Sequence, residues 1–107
     1  MARSADEVNR IAAETVGALR RRLPVTAAYL FGSYAEGRAT DDSDIDVAVF
    51  SPAVERMDLE QRVEVIVTVR FEVNAEVEIH LFPAAALDSA RPTNIYGHIL
   101  KTGKRLE

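Results

Sequence analysis

Residues 29–50, YLFGSYAEGRATDDSDIDVAVF, constrain this chain more than any other stretch. Two segments rich in β-branched and aromatic residues, 25–31 and 44–50, are each short enough for a strand, and the link between them opens on Gly32-Ser33 and closes on Asp44-Ile45-Asp46. Side chains alternate along a strand, so Asp44 and Asp46 share one face about 7 Å apart while Ile45, Val47 and Val49 point to the other. One face is therefore built for burial and the other for water or a cation. A Gly-Ser turn at a strand end adds close backbone approach, free N–H groups and a hydroxyl, which together suit phosphate oxygens.

The flanking sequence reads as scaffold. Ser4 with Glu7 three residues on is a capping-box signature, and Val8, Ile11, Thr15, Val16, Leu19 and Leu23 recur at helical spacing; a first helix is expected over 5–22, ended by Pro24. Arg20, Arg21 and Arg22 complement the dipole at its C-terminus. Residues 32–42 are small, polar and acidic and read as a turn, one short helix starting at Ser33, and a loop. Ser51-Pro52 closes the second strand. Over residues 58–73, Leu59, Val63, Ile66, Val67 and Phe71 form a helical stripe behind an Asp58–Gln61 start, yet Val63, Val65, Val67, Val69, Phe71 and Val73 alternate so well that period alone favours a strand. About fourteen residues is long for a strand, so a helix is expected. Asn74-Ala75 turns into a third strand, 76–82, with Glu76, Glu78 and His80 on one face and Val77, Ile79 and Leu81 on the other. After a loop, residues 92–102 predict a helix with Ile95, Ile99 and Leu100 as its stripe and Gly103 as its cap. This order predicts an α/β (α+β) fold: a small mixed sheet with helices over its apolar face and an open acidic edge.

Composition narrows the function classes. At 107 residues, one domain over 1–107 is expected, able to bury somewhat over ~60% of its unfolded surface but leaving little room for a second, substrate-gripping domain. A net charge of −4 argues against nucleic acid as the primary partner. The lack of cysteine removes disulfides, thiolate zinc sites and a Cys nucleophile. No apolar run approaches ~18 residues and the opening MARSADEVNR has no apolar core, which predicts a soluble, cytoplasmic protein without a membrane partner.

Two motifs nearly match the central stretch and fail for chemical reasons. Gly32 and Gly37 have P-loop separation, but Arg38-Ala39 stands where that motif needs Lys and then a hydroxyl for magnesium. Asp42, Asp44 and Asp46 imitate an EF-hand start, but Val47 replaces its glycine and Ala53 its bidentate glutamate. A nucleoside triphosphate site fits better. Gly32 and Ser33 would hold phosphates, Arg38 could offset their charge, and Asp44 and Asp46 could share magnesium ions with the phosphate oxygens. Glu78 on the neighbouring strand is the candidate third carboxylate of a two-metal clamp, with Glu76 on the same face as the alternative. His80 also points to that face and reads as structural or exposed.

Together Gly32, Ser33, Gly37, Ser43, Asp44 and Asp46, standing as GSYAEGRATDDSDID, resemble the nucleotidyltransferase superfamily of DNA polymerase β, and most closely its minimal single-domain branch. The resemblance covers most of the chain and also calls for a helix over 58–73. It implies transfer of a nucleoside monophosphate, AMP from ATP, to an acceptor hydroxyl, with Asp44, Asp46 and Glu78 as catalytic and metal-holding residues and Mg2+ as cofactor. It further implies a small helical partner of the HEPN type, held as antitoxin to toxin, with a partner tyrosine as one acceptor; a homo-oligomer stays open. One departure stands out: the family's third carboxylate is usually Asp, and Val77-Glu78-Ile79 supplies Glu. A binding module that neutralises its partner by occlusion, with an idle or regulatory nucleotide site, is therefore the rival expectation. Antibiotic-modifying nucleotidyltransferases resemble longer chains with an added domain and fit less well.

Overall fold

The computed structural model describes residues 2–106. Helix α1 spans Ala5–Arg20 and starts where the Ser4 side chain accepts the Glu7 N–H at 3.1 Å, as the capping pattern predicts. It ends two residues earlier than expected, and the backbone turns through Arg21 and Arg22 before Pro24. Val8, Ile11, Ala12, Thr15, Val16 and Leu19 form its buried stripe, in which the Thr15 hydroxyl is satisfied by donating to the Ile11 carbonyl at 2.8 Å.

Strand β1 (Ala27–Phe31) pairs antiparallel with β2 (Ile45–Ser51), and β2 pairs in parallel with β3 (Val77–Pro83). A two-residue edge strand, β4 (Lys104–Arg105), completes a mixed sheet in the order β3-β2-β1-β4. Parallel pairing needs a long crossover, which is supplied by a 3₁₀ turn at Pro52–Arg56 followed by α2 (Leu59–Glu72). A second 3₁₀ turn, Ala84–Ser89, leads towards α3 (Ile95–Thr102). The last helix is shorter than the 92–102 expected, because the Asn94 side chain caps it by accepting the Gly97 N–H at 3.0 Å.

Neither 3₁₀ turn nor β4 is anticipated by the sequence. Lys104-Arg105 lacks the composition of a strand and is held by its pairing to Tyr29 and Leu30, with the Arg105 guanidinium 5.8 Å from the Tyr29 ring centroid.

Residues 58–73 form a helix, and the structure explains why they also alternate. Asp58 accepts the Gln61 N–H at 2.8 Å and the Gln61 side chain accepts the Asp58 N–H at 3.0 Å, a complete capping box. Val65, Val69 and Val73 face the core, while Val63, Val67 and Phe71 face outward. Two stripes, each at four-residue spacing and offset by two residues, interleave into an apparent period of two. Leu59, Val63, Val67 and Phe71 are 72%, 48%, 56% and 92% exposed, whereas Val69 is fully buried. Val69→Ala is therefore expected to cost about 2 kcal/mol through loss of buried methyls. Phe71→Ser should stay within about 0.5 kcal/mol of the parent. Urea unfolding midpoints compare the two; equal midpoint shifts would contradict this orientation of α2.

One core lies between the sheet and the α1/α2 layer, where Leu30, Ile45, Val47, Val49, Val77, Ile79 and Leu81 meet the helices. The opposite face carries a smaller, aromatic core: Tyr29, Phe31 and Phe50 meet Ile99 and Tyr96 of α3 and Ala86 of the second 3₁₀ turn. The helix layer expected over the apolar face is present, and α3 in addition covers part of the other. What stays open on that second face is its acidic end, where β2 and β3 begin. Among the described residues no helix is long and apolar enough to cross a membrane.

Candidate active site

The acidic end is assembled from three pieces of chain. β1 delivers Phe31 directly to Gly32, which adopts φ +78°, a conformation open to glycine at little cost. The segment after it is not the short helix expected from Ser33. It is a single turn in which the Glu36 N–H donates to the Gly32 carbonyl and the Arg38 N–H to the Ser33 carbonyl, each at 3.0 Å, with Gly37 at φ +75° closing it. Thr40 and Ser43 then pin the loop: the Thr40 N–H donates to the Ser43 hydroxyl at 2.8 Å and the Ser43 N–H to the Thr40 carbonyl at 3.1 Å. Ser43 thus sets the chain direction just before Asp44.

Asp44 is exposed and precedes β2 by one residue, while Asp46 lies within the strand and is partly covered. Asp46 sits directly opposite Glu78 in the β2–β3 register, so the two carboxylates project from the same face of neighbouring strands. A Cβ built on Gly32 would lie 2.4 Å from Asp46 Oδ2. Only a residue with no side chain lets the Gly-Ser turn rest against that carboxylate. The phosphate-type cradle and the acidic strand are thereby one surface.

The remaining expected residues fall around this pair. The Ser33 hydroxyl is 3.4 Å from Arg38 Nη1, and Arg38 Nη2 bonds Glu36 Oε2 at 3.2 Å. Glu36 in turn lies 3.4 Å from His98 Nε2, which ties the turn to α3. The Arg38 guanidinium, chiefly through its hydrogen bond, holds the Glu36 carboxyl below its ordinary range, with His98 adding to the effect and partial burial opposing it. A carboxyl lowered on folding contributes stability above its unfolded pKa and loses that contribution as pH falls through the folded value. Arg38→Ala should move the Glu36 midpoint upward in a carbon-13 NMR pH titration; an unmoved midpoint would show that Arg38 does not hold it.

Of the two candidate third carboxylates, the structure separates their surroundings. Glu76 lies in the turn before β3 and is bound by Arg3, whose Nη2 and Nε reach Glu76 Oε2 at 2.7 and 3.0 Å. Glu78 is exposed, and its carboxylate has no hydrogen bond or ion pair among the described residues. Arg3 gives no sign of this role in sequence, since its partner lies 73 positions away. A further contact, also unforeseen, joins His80 Nε2 to Asp46 Oδ1 at 3.3 Å. The spacing Glu78-x-His80 on one strand face was its available signal, but register was needed to bring it to Asp46.

The family model for the nucleotidyltransferase domain matches residues 12–99, which runs from within α1 to within α3. This chain belongs to the nucleotidyltransferase domain family. Solved structures with the same fold include a toxin–antitoxin complex with AMP-PNP, at 27% identity over 88% of this chain and 70% of that one, TM-score 0.64. A mutant of the MntA–HpeT toxin–antitoxin pair matches at 29% identity over 86% and 68%, TM-score 0.58. A tri-AMPylated Shewanella oneidensis HEPN toxin in complex with MNT antitoxin matches at 22% identity over 94% and 71%, TM-score 0.60, a likeness of fold. No match was found among curated proteins.

As a nucleotidyltransferase domain, the chain places its donor atoms in keeping with hard-cation chemistry. Among the described residues no three His, Asp or Glu side chains converge as a self-sufficient metal cage. Magnesium, however, is commonly held by one or two carboxylates plus substrate phosphates. An aspartate packed directly against a Gly-Ser turn meets that requirement, because a triphosphate on the turn would bring its oxygens to the same carboxylate.

Proposed function

We propose that this protein transfers AMP from ATP to an acceptor hydroxyl and releases pyrophosphate. The observation that carries the reading is the contact of Asp46 with Gly32, which joins an anion cradle to a metal-type carboxylate. Gly32 and the Ser33 N–H and hydroxyl hold the outer phosphates, with Arg38 adding positive charge beside Ser33. Asp44, Asp46 and Glu78 would hold Mg2+ jointly with the phosphate oxygens, and the ion would offset phosphate charge and polarise the reacting oxygens. Glu78, exposed and opposite Asp46, receives the acceptor's proton; the acceptor oxygen then bonds the α-phosphorus while the bond to the β-phosphate oxygen breaks.

The acceptor in this reading is a tyrosine of a small helical partner of the HEPN type. The AMPylated toxin in a complex of the same fold supports the choice. Incubation with labelled ATP, Mg2+ and the product of the neighbouring gene, followed by mass spectrometry of both proteins, tests it. An AMP adduct on the partner, lost with Asp44→Asn plus Asp46→Asn, is expected; absence of any nucleotide binding by the parent chain would sink the reading.

A second reading keeps support from one observation. Glu78 is exposed and no three-residue ligand cluster is formed, as suits an antitoxin that neutralises by occlusion with an idle nucleotide site. Full neutralisation by the double Asn variant favours occlusion, whereas intact complex formation without neutralisation favours transfer.

A further inference from the structure

His80 occupies a place that the reaction outlined above leaves unused. It stands two residues after Glu78 on β3, opposite Ala48 of β2, whose single methyl leaves room for an imidazole over the sheet. Its side chain is 32% exposed and its ring is flanked by two others: Phe31 meets it edge-on with centroids 4.9 Å apart and Phe82 stacks at 6.2 Å. Phe82 is itself packed on Phe50 at 5.4 Å and on Tyr96 of α3 at 5.2 Å. An aromatic column therefore rises from the second core and ends in a histidine whose Nε2 is 3.3 Å from Asp46 Oδ1. The other carboxylate oxygen, Oδ2, is the atom that lies against Gly32.

We infer that His80 is a positioning residue that locks the carboxylate of Asp46, holding Oδ1 so that Oδ2 faces the Gly32-Ser33 turn and the metal-bound triphosphate. The terminal torsion of an aspartate is broad and two-fold, so an unheld carboxylate would spend its time among several orientations. An imidazole clamped on two sides by aromatic rings removes that freedom without taking both oxygens. For this to work His80 donates from Nε2, which leaves Nδ1 without its proton in the neutral ring. The inference rests on the proposed metal and nucleotide site for its consequence, but not for its geometry.

The test uses two variants with opposite losses. His80→Phe keeps an aromatic ring in the column and removes the donor; His80→Gln keeps an N–H donor and removes the ring. Mg2+-dependent ATP binding, followed by calorimetry, should weaken roughly 10–100-fold in His80→Phe with its melting temperature retained, and recover to within a few-fold in His80→Gln. Unchanged binding in His80→Phe would overturn the assignment, as would equal weakening in both variants in proportion to lost stability. In the metal-free parent at pH 8, nitrogen-15 NMR should show His80 as the Nε2–H tautomer, shifted by Asp46→Ala. Finding the Nδ1–H tautomer overturns the proposal even if ATP binds. Finding Nε2–H with no Mg-ATP binding in the parent supports the hold on Asp46 and instead removes the proposed transferase reading.

Discussion

Asp46→Asn is expected to lower nucleotidyl transfer by about three orders of magnitude while the chain stays folded. The substitution preserves shape and a hydrogen-bonding oxygen, so contact with His80 and the packing beside Gly32 can persist. What is lost is the negative charge on the carboxylate that lies against Gly32. Metal-borne stabilisation of transferring phosphoryl groups is worth several kcal/mol, and about 4 kcal/mol corresponds to a thousandfold. Initial rates with labelled ATP, set beside a melting curve, read both halves of the expectation. Retention of more than a tenth of the parent rate would mean that Asp46 is not a metal-holding residue.

Gly32→Ala should damage both the fold and the site. A methyl there would lie 2.4 Å from Asp46 Oδ2, and the backbone sits at φ +78°. The left-handed conformation alone costs an alanine roughly 1–2 kcal/mol, and the carboxylate must also be displaced. Each kcal/mol lowers the melting temperature of a domain this size by about 4–8 °C, so a fall on the order of 10 °C is expected, together with loss of Mg-ATP binding. Gly37→Ala is the matched control: its φ is +75°, but a Cβ there meets nothing within 4 Å. It should show only the backbone part of the cost and keep the nucleotide. If the two variants behaved alike, close approach of Gly32 to Asp46 would not be what selects glycine.

These effects share an origin in how far apart the interacting groups lie along the chain. The alternation of Asp44, Ile45 and Asp46, the Ser4 and Asp58 caps, and the Gly-Ser turn are decided within a few residues. Each was therefore readable before any tertiary contact was known, and together they sufficed for the family resemblance and the helix–strand order. The doubled stripe on α2 marks the limit of such reading: period alone favoured a strand, and the segment is a helix with one apolar stripe in the core and one exposed.

By itself, then, the sequence determined the acidic strand face, the anion-type turn before it, and the α+β order around them, because propensity, capping and side-chain alternation act locally. Only the tertiary structure decided which groups meet. His80 reaches Asp46 across 34 positions and Arg3 takes Glu76 across 73, leaving Glu78 opposite Asp46. Lys104-Arg105 is a strand through its pairing with β1, and α3 covers part of the second face by adding Ile99 and Tyr96 to the aromatic core there. Register and burial are properties of the packed sheet, and no window of sequence contains both partners.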